Sequence, residues 1–411
     1  MRHLLTLLLL LLSLPLPAQR HQLLSPDIRS LQVVANGDWQ SLPIVELGKG
    51  SIAFDFDDLT HEYRRYLYRL EHCEADWSTS ESLFESDYCQ GFADGNTIDD
   101  MQQSLLTNTL YTHYHLQLPN PQCRITMSGN YRLTVYDDNN EEEPVLIACF
   151  MVVEPLMGIS LMASPDTDTD IRGSHQQVSM AIHYNGLRVT APQEQLTTVV
   201  MQNRRWDDAR WNPQPQYVMP DQLRYEHNRE LIFHAGNEYR KFEILSTDVA
   251  SMGIDRLRWD GSDAHAYPFP AQPRLNYLYD EDANGAFLLR NSDNSEADIL
   301  SDYLQVHFQL PCPAPLDYDI YVNGDFTYDS FLPSYQMHYD PALPGYEAVI
   351  PLKLGYYSYQ LLMLDGNRQP CPLPSEGSFY QTENSYQALV YYRQPGARTD
   401  RLVGYQQITT K

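Results

Sequence analysis

The sequence predicts an all-β protein made of tandem antiparallel β-sandwiches. Three observations predict it. Apolar and polar residues alternate wherever a period is clear, and Asn-Gly or Asp-rich clusters separate the alternating segments. No window sustains an i, i+3, i+4, i+7 stripe beyond about two helical turns, and 27 prolines would interrupt most attempts at one. Strict alternation buries one face of a strand and wets the other.

In chain order, residues 1–20 read as an export signal. Arg2 precedes the apolar run Leu4–Leu14, which Pro15 and Pro17 end before Ala18. Eleven residues are too few to cross a hydrocarbon core of ~30 Å, and no cysteine lies near enough for a lipid anchor. Strands are then expected at Ile52/Phe54/Phe56 and Tyr131/Leu133/Val135. Further ones fall at Val178/Met180/Ile182/Tyr184, Leu304/Val306/Phe308/Leu310 and Tyr357/Tyr359/Leu361/Met363. Turns are expected at Asn36-Gly37-Asp38, Asp137–Asn140, Asn185-Gly186, Asn284-Gly285, Asn323-Gly324-Asp325 and Asp365-Gly366-Asn367. The nine-residue apolar run Val145–Val153 ends at Glu154-Pro155, and an acidic stretch covers Ser292–Asp302. Placing boundaries there gives an N-terminal sandwich over 21–155, a middle one over 156–295 and a C-terminal one over 296–411. Each is a suitable size for an immunoglobulin-like sandwich.

Charge narrows the function. Against 54 acidic residues stand 28 Lys and Arg, a net charge of −26, which opposes nucleic acid and anionic lipid alike. Only Lys49, Lys241, Lys353 and Lys411 are lysines. Six cysteines in an exported chain permit disulfides; Cys312 and Cys371, alone in the last third, are the expected pair. No GxSxG, HExxH, P-loop or GxGxxG motif is present, so no catalytic, cofactor or metal residues are assigned. His113 and His115 share a strand face without a third ligand in view. Asp280–Gly285 imitates the opening of a calcium loop, but its twelfth position is Asn291.

A set of short segments carries a resemblance: SIAFDFDDL at 51–59, HCEADW at 72–77, SGNY at 128–131, His175-Gln176, QNRRWD at 202–207, GNEY at 236–239, YDEDANG at 279–285 and Thr382-Glu383-Asn384. In this order and spread the chain resembles the plug-protein family of the type IX secretion system. The resemblance implies a non-enzymatic, all-β periplasmic protein at the inner face of the outer membrane. It would sit on the periplasmic mouth of the large translocon β-barrel, which it closes when no cargo shuttle is engaged. It also implies that Trp77, Gly129, Trp206, Gly236 and Asn237 are framework residues. Cysteines at 89, 123, 149 and 371 look particular to this chain.

The last third supports an alternative. Tyr321–Phe326 and Tyr356–Leu361 resemble the early-set modules that accompany starch- and glycogen-active proteins, in which Phe326, Tyr328, Phe331 and Tyr335 would form an aromatic sugar-binding surface.

Overall fold

The computed structural model describes residues 21–410, so the expected signal peptide lies outside the described residues. Among these, α-helix is confined to Glu85–Tyr88, Pro192–Gln195 and Ala297–Leu300. The rest of the regular structure is almost entirely strand, and every alternating segment read from the sequence is one. Ile52, Phe54 and Phe56 point inward from Ile52–Asp58, and Tyr131, Leu133 and Val135 from Gly129–Asp137.

The first sandwich packs one sheet, Ile28–Ala35, Ile52–Asp58, Thr112–Leu118 and Asp100–Gln103, on a second built around Tyr66–Cys73, Gly129–Asp137 and Asn140–Val153. Phe54, Tyr131 and Phe150 fill the space between them, with ring centroids 5.4 Å apart in both pairs. A separate two-stranded sheet, Cys89–Gly91 with Cys123–Ile125, lies against this core.

The middle sandwich departs from the linear division. One of its sheets is local, centred on His175–His183. The other pairs Leu196–Gln202 with Ser385–Tyr392, which pairs in turn with Arg401–Thr409. The third module, a ten-stranded curled sheet, begins at Arg240–Ile244 and ends at Pro370–Pro372. It is therefore inserted into the middle sandwich rather than appended to it, and the expected boundary at 295/296 cuts its sheet. Arg240–Ile244 and Phe287–Leu289 both pair with Gly355–Leu364, which alternation alone does not reveal.

Burial explains the inserted arrangement. All eight residues of Ser385–Tyr392 are buried, so the strand has a core on each face. Ala388 and Val390 face the middle sandwich's own core, with Val178 and Ile182. Leu389 and Tyr391 face the opposite way, toward Trp77, Met151 and Val153 of the first sandwich. The run Val145–Val153 has the same origin: Leu146, Ala148, Phe150 and Val152 enter the first core, while Cys149, Met151 and Val153 enter the shared one. A continuous apolar run is what two-sided burial requires.

One expected turn is different. Gly324 has extended backbone (φ 178°) and leads into the 3-10 turn Asp325–Thr327. A Cβ there would meet the Ser358 carbonyl oxygen at 2.8 Å, so close approach rather than hairpin geometry requires this glycine.

Candidate functional site

The segment Gln202–Asp207 leaves a buried strand through two consecutive left-handed residues, Asn203 (φ 52°) and Arg204 (φ 62°). That reversal fans its side chains toward all three modules. Gln202 Nε2 donates to the His234 carbonyl and to Tyr386 Oη, both at 3.0 Å, within the middle sandwich. Asn203 Nδ2 donates to Asn384 Oδ1 at 2.7 Å, and Asn203 Oδ1 accepts from the Ser385 amide at 2.8 Å. Arg204 reaches the third module: its Nη2 donates to the Asn284 carbonyl at 2.9 Å and to Asp325 Oδ2 at 3.1 Å. Arg205 forms a two-pronged pair with Asp207, at 3.1 and 2.6 Å. Trp206 turns to the first sandwich and meets Trp77 edge-on, centroids 5.5 Å apart.

The resembling segments from His175-Gln176 through GNEY and YDEDANG to Thr382-Glu383-Asn384 converge on the same junction. Gly236, in left-handed backbone (φ 64°), donates its amide to Ser378 Oγ at 3.0 Å. Asn237 Nδ2 donates to the Glu376 carbonyl at 2.8 Å. Glu238 Oε1 accepts from Tyr277 Oη at 2.6 Å, and burial raises its carboxyl above the ordinary range. Tyr239 donates its amide to Asp282 Oδ2. Asp282 also accepts from the Asn284 amide at 2.5 Å, and burial pushes its carboxyl up to about 7. The calcium-like segment is thus a capped turn, and among the described residues no group of three or more His, Cys, Asp or Glu could hold a metal ion. Asn384 completes the junction, donating to Gln176 Oε1 at 3.0 Å and to the Ala235 carbonyl at 2.8 Å.

A second polar cluster ties the first module to the third. Lys353 is fully buried at the end of Gly345–Lys353. Its Nζ donates to Asp57 Oδ2 at 2.7 Å and to the Asp298 carbonyl at 2.6 Å, and lies 4.1 Å from the Tyr111 ring centre. Tyr303 Oη donates to the same Asp57 oxygen at 2.6 Å, while His113 Nδ1 lies 2.8 Å from Asp57 Oδ1. His115 pairs with Asp55 at 2.5 Å. Burial opposes charge on His113, but hydrogen bonds to Asp55 and Asp57 outweigh it and raise its pKa to about 9. Burial likewise disfavours the Asp57 carboxylate, yet Lys353 and His113 hold it below the usual range. The two histidines therefore serve ion pairs. Sequence reasoning missed Lys353, Asp57 and Tyr303; the available signal was a lysine closing a strand that carries Tyr346, Ala348, Ile350 and Leu352 at alternate positions.

Trp77 is buried, and Gly129 has φ 152° with His72 where a side chain would go: an added Cβ would lie 2.2 Å from His72 Nε2. The aromatic surface does not form as expected. Phe326 and Tyr328 are buried: Phe326 packs edge-on against Tyr357 at 5.3 Å, and Tyr328 Oη donates to the Leu31 carbonyl at 3.2 Å. Phe331 packs instead on Tyr321. Phe326, Tyr328 and Tyr335 do line a cavity of about 420 Å³ between the first and third modules, rimmed by Leu24, Leu332 and Val349. Crossed buried rings offer no flat platform for a sugar face. The expected Cys312–Cys371 bond is also not formed: both are thiols, and Cys312 Sγ donates to the Ala314 carbonyl at 3.0 Å.

The exposed counterpart to these buried anchors is the irregular segment 269–283. Arg274 and Tyr277 turn inward, to the Glu376 carboxylate and to Glu238. Leu275 and Leu278 turn outward, each 79% exposed, followed by exposed Tyr279. A strap fastened at Arg274 and Tyr277 holds the apolar side chains that follow each of them out at little further entropic cost.

Comparison with known proteins places this architecture. Residues 28–154, the first sandwich, match the family model described as type 9 secretion system plug protein, 1st domain. The crystal structure of a hypothetical protein from Parabacteroides merdae ATCC 43184 superposes with a TM-score of 0.92 at 37% identity, covering 96% of this chain and 100% of that one. No curated protein matches the chain.

Proposed function

Because the chain belongs to the type 9 secretion system plug protein family, we propose that it is a non-enzymatic periplasmic plug. It docks on the periplasmic mouth of the outer-membrane translocon barrel and seals the pore while no cargo shuttle is engaged. One observation supports this most strongly. The first sandwich, which matches the family, shares a core with the middle sandwich and is pinned to the third module by Lys353 and Asp57. A body without loose modules can occlude a wide opening, whereas flexibly linked domains would leave gaps.

The strap carrying Leu275, Leu278 and Tyr279 supplies the contact: rigid apolar anchors beside exposed acids, Asp280 and Glu281. The net charge of −26 suits a polar rim that is less acidic than the plug. The test is a tagged copy recovered from gently solubilised outer membranes. One very large barrel protein, in amounts comparable to the bait, is expected. Recovery of polysaccharide-utilisation components alone, or of nothing, would refute docking.

A further inference from the structure

Cys312 Sγ is engaged with a backbone carbonyl, whereas the sulfurs of two other cysteines meet. Cys89 and Cys123 sit on the two-stranded sheet, in antiparallel register with Ile125 and Gly91 respectively. They are diagonal neighbours on one face, both turned into the first core and essentially without exposure. Their sulfurs are 3.1 Å apart, about 1 Å beyond an S–S bond of ~2.05 Å.

The backbone around them is fixed on both sides. Asn120 Oδ1 accepts from the Cys123 amide at 2.8 Å, and the Phe92 amide donates to the Gln122 carbonyl at 2.9 Å. Beyond Cys89, the Thr126 amide donates to the Tyr88 carbonyl at 2.9 Å. Gly91 has φ 111°, and a Cβ there would lie 2.0 Å from the Gln122 carbonyl oxygen, so only glycine admits this close approach of the two strands.

We propose that Cys89 and Cys123 form a disulfide in the exported protein, made by a disulfide-bearing thiol oxidoreductase of the periplasm. The Cys89 thiolate attacks the oxidant's disulfide, and one oxidant sulfur leaves as thiolate. Cys123 then loses its proton and attacks Cys89 Sγ, displacing the oxidant's second sulfur. Two protons and two electrons leave the pair, and the oxidant's disulfide becomes a dithiol. Because both sulfurs are buried, the exchange belongs to folding, before the first core closes. The bond encloses Thr112–Leu118, the strand bearing His113, and so fastens the sheet that carries the ion pair to the third module. The in-cell bond rests on the periplasmic reading above; the proximity does not.

Two arms separate these. In the first, the full chain made under reducing conditions is unfolded and refolded with oxidised and reduced glutathione, alkylated and digested without reductant. A cross-linked peptide pair joining Cys89 to Cys123, lighter by two hydrogens, is expected. Free alkylated Cys89 and Cys123, or a different pairing, would overturn the proposal. In the second arm, protein taken from the cell envelope with alkylation at lysis carries the same link. Free thiols there, with the link formed in the first arm, would overturn the in-cell bond while leaving the geometry intact. The linked protein also resists reductant until denatured, and its melting temperature then falls by on the order of 5–10 °C. The Cys89→Ala/Cys123→Ala double variant shows no such response to reductant.

Discussion

Lys353 is fully buried, and its neighbours make that tolerable. Asp57 pairs with it, the Asp298 carbonyl accepts a second hydrogen bond, and the Tyr111 ring presents its negative face. Removing the lysine leaves Asp57 buried with reduced compensation. Lys353→Ala is therefore expected to cost about 3–5 kcal/mol in urea unfolding, and Lys353→Met with Asp57→Asn to recover part of it. Equal losses in the single and double variants would contradict the pairing. His113 gives the cluster a pH dependence. Its folded pKa of about 9 lies above the ordinary 6.5, so its contribution is complete below about 6.5 and disappears as pH rises through about 9. Stability should fall by roughly 3 kcal/mol more in the wild type than in His113→Gln between those limits. Parallel profiles would contradict it. These residues were visible in the sequence one at a time: Lys353 as one of four lysines, His113 in a strand. Their meeting was not, because Asp57 and Lys353 are 296 residues apart.

Strands were the most legible elements. Alternation located the inward faces of Ile52–Asp58, Gly129–Asp137 and Tyr303–Pro311, since each has one core and one wetter face. The same rule says less about strands with two cores: Ser385–Tyr392 has no alternation in burial at all, and its partner Leu196–Gln202 lies 190 residues upstream. The strap was equally hidden, because nothing in Leu275, Leu278 and Tyr279 distinguishes outward anchors from core residues until Arg274 and Tyr277 are seen turning inward. Leu275→Asp with Leu278→Asp is expected to cut recovery of the barrel by about tenfold or more while leaving the fold's melting temperature nearly unchanged. Reversing Asp280 and Glu281 to Lys is expected to weaken recovery less, and more at low salt than at high. Undiminished recovery of both variants would exclude this strap from the interface. Asp282 is left out of the reversal because it caps the Tyr239 amide.

At the scale of the whole molecule, the conspicuous feature is that motifs scattered from His175 to Asn384 meet at one junction. Gln202–Asp207 by itself reaches all three modules. The sequence segments were readable as a set, whereas the insertion of the third module into the middle one was not: long-range pairing leaves no local periodicity. The resulting body has shared cores and internal ion pairs, and the proposed role uses that rigidity to close a pore. The most direct test is the conductance of the purified translocon barrel in a planar bilayer, before and after the protein is added to the periplasmic side. The account predicts that the open-pore conductance falls to near baseline and returns when the protein is removed. A barrel that binds the protein yet keeps its full conductance would contradict it.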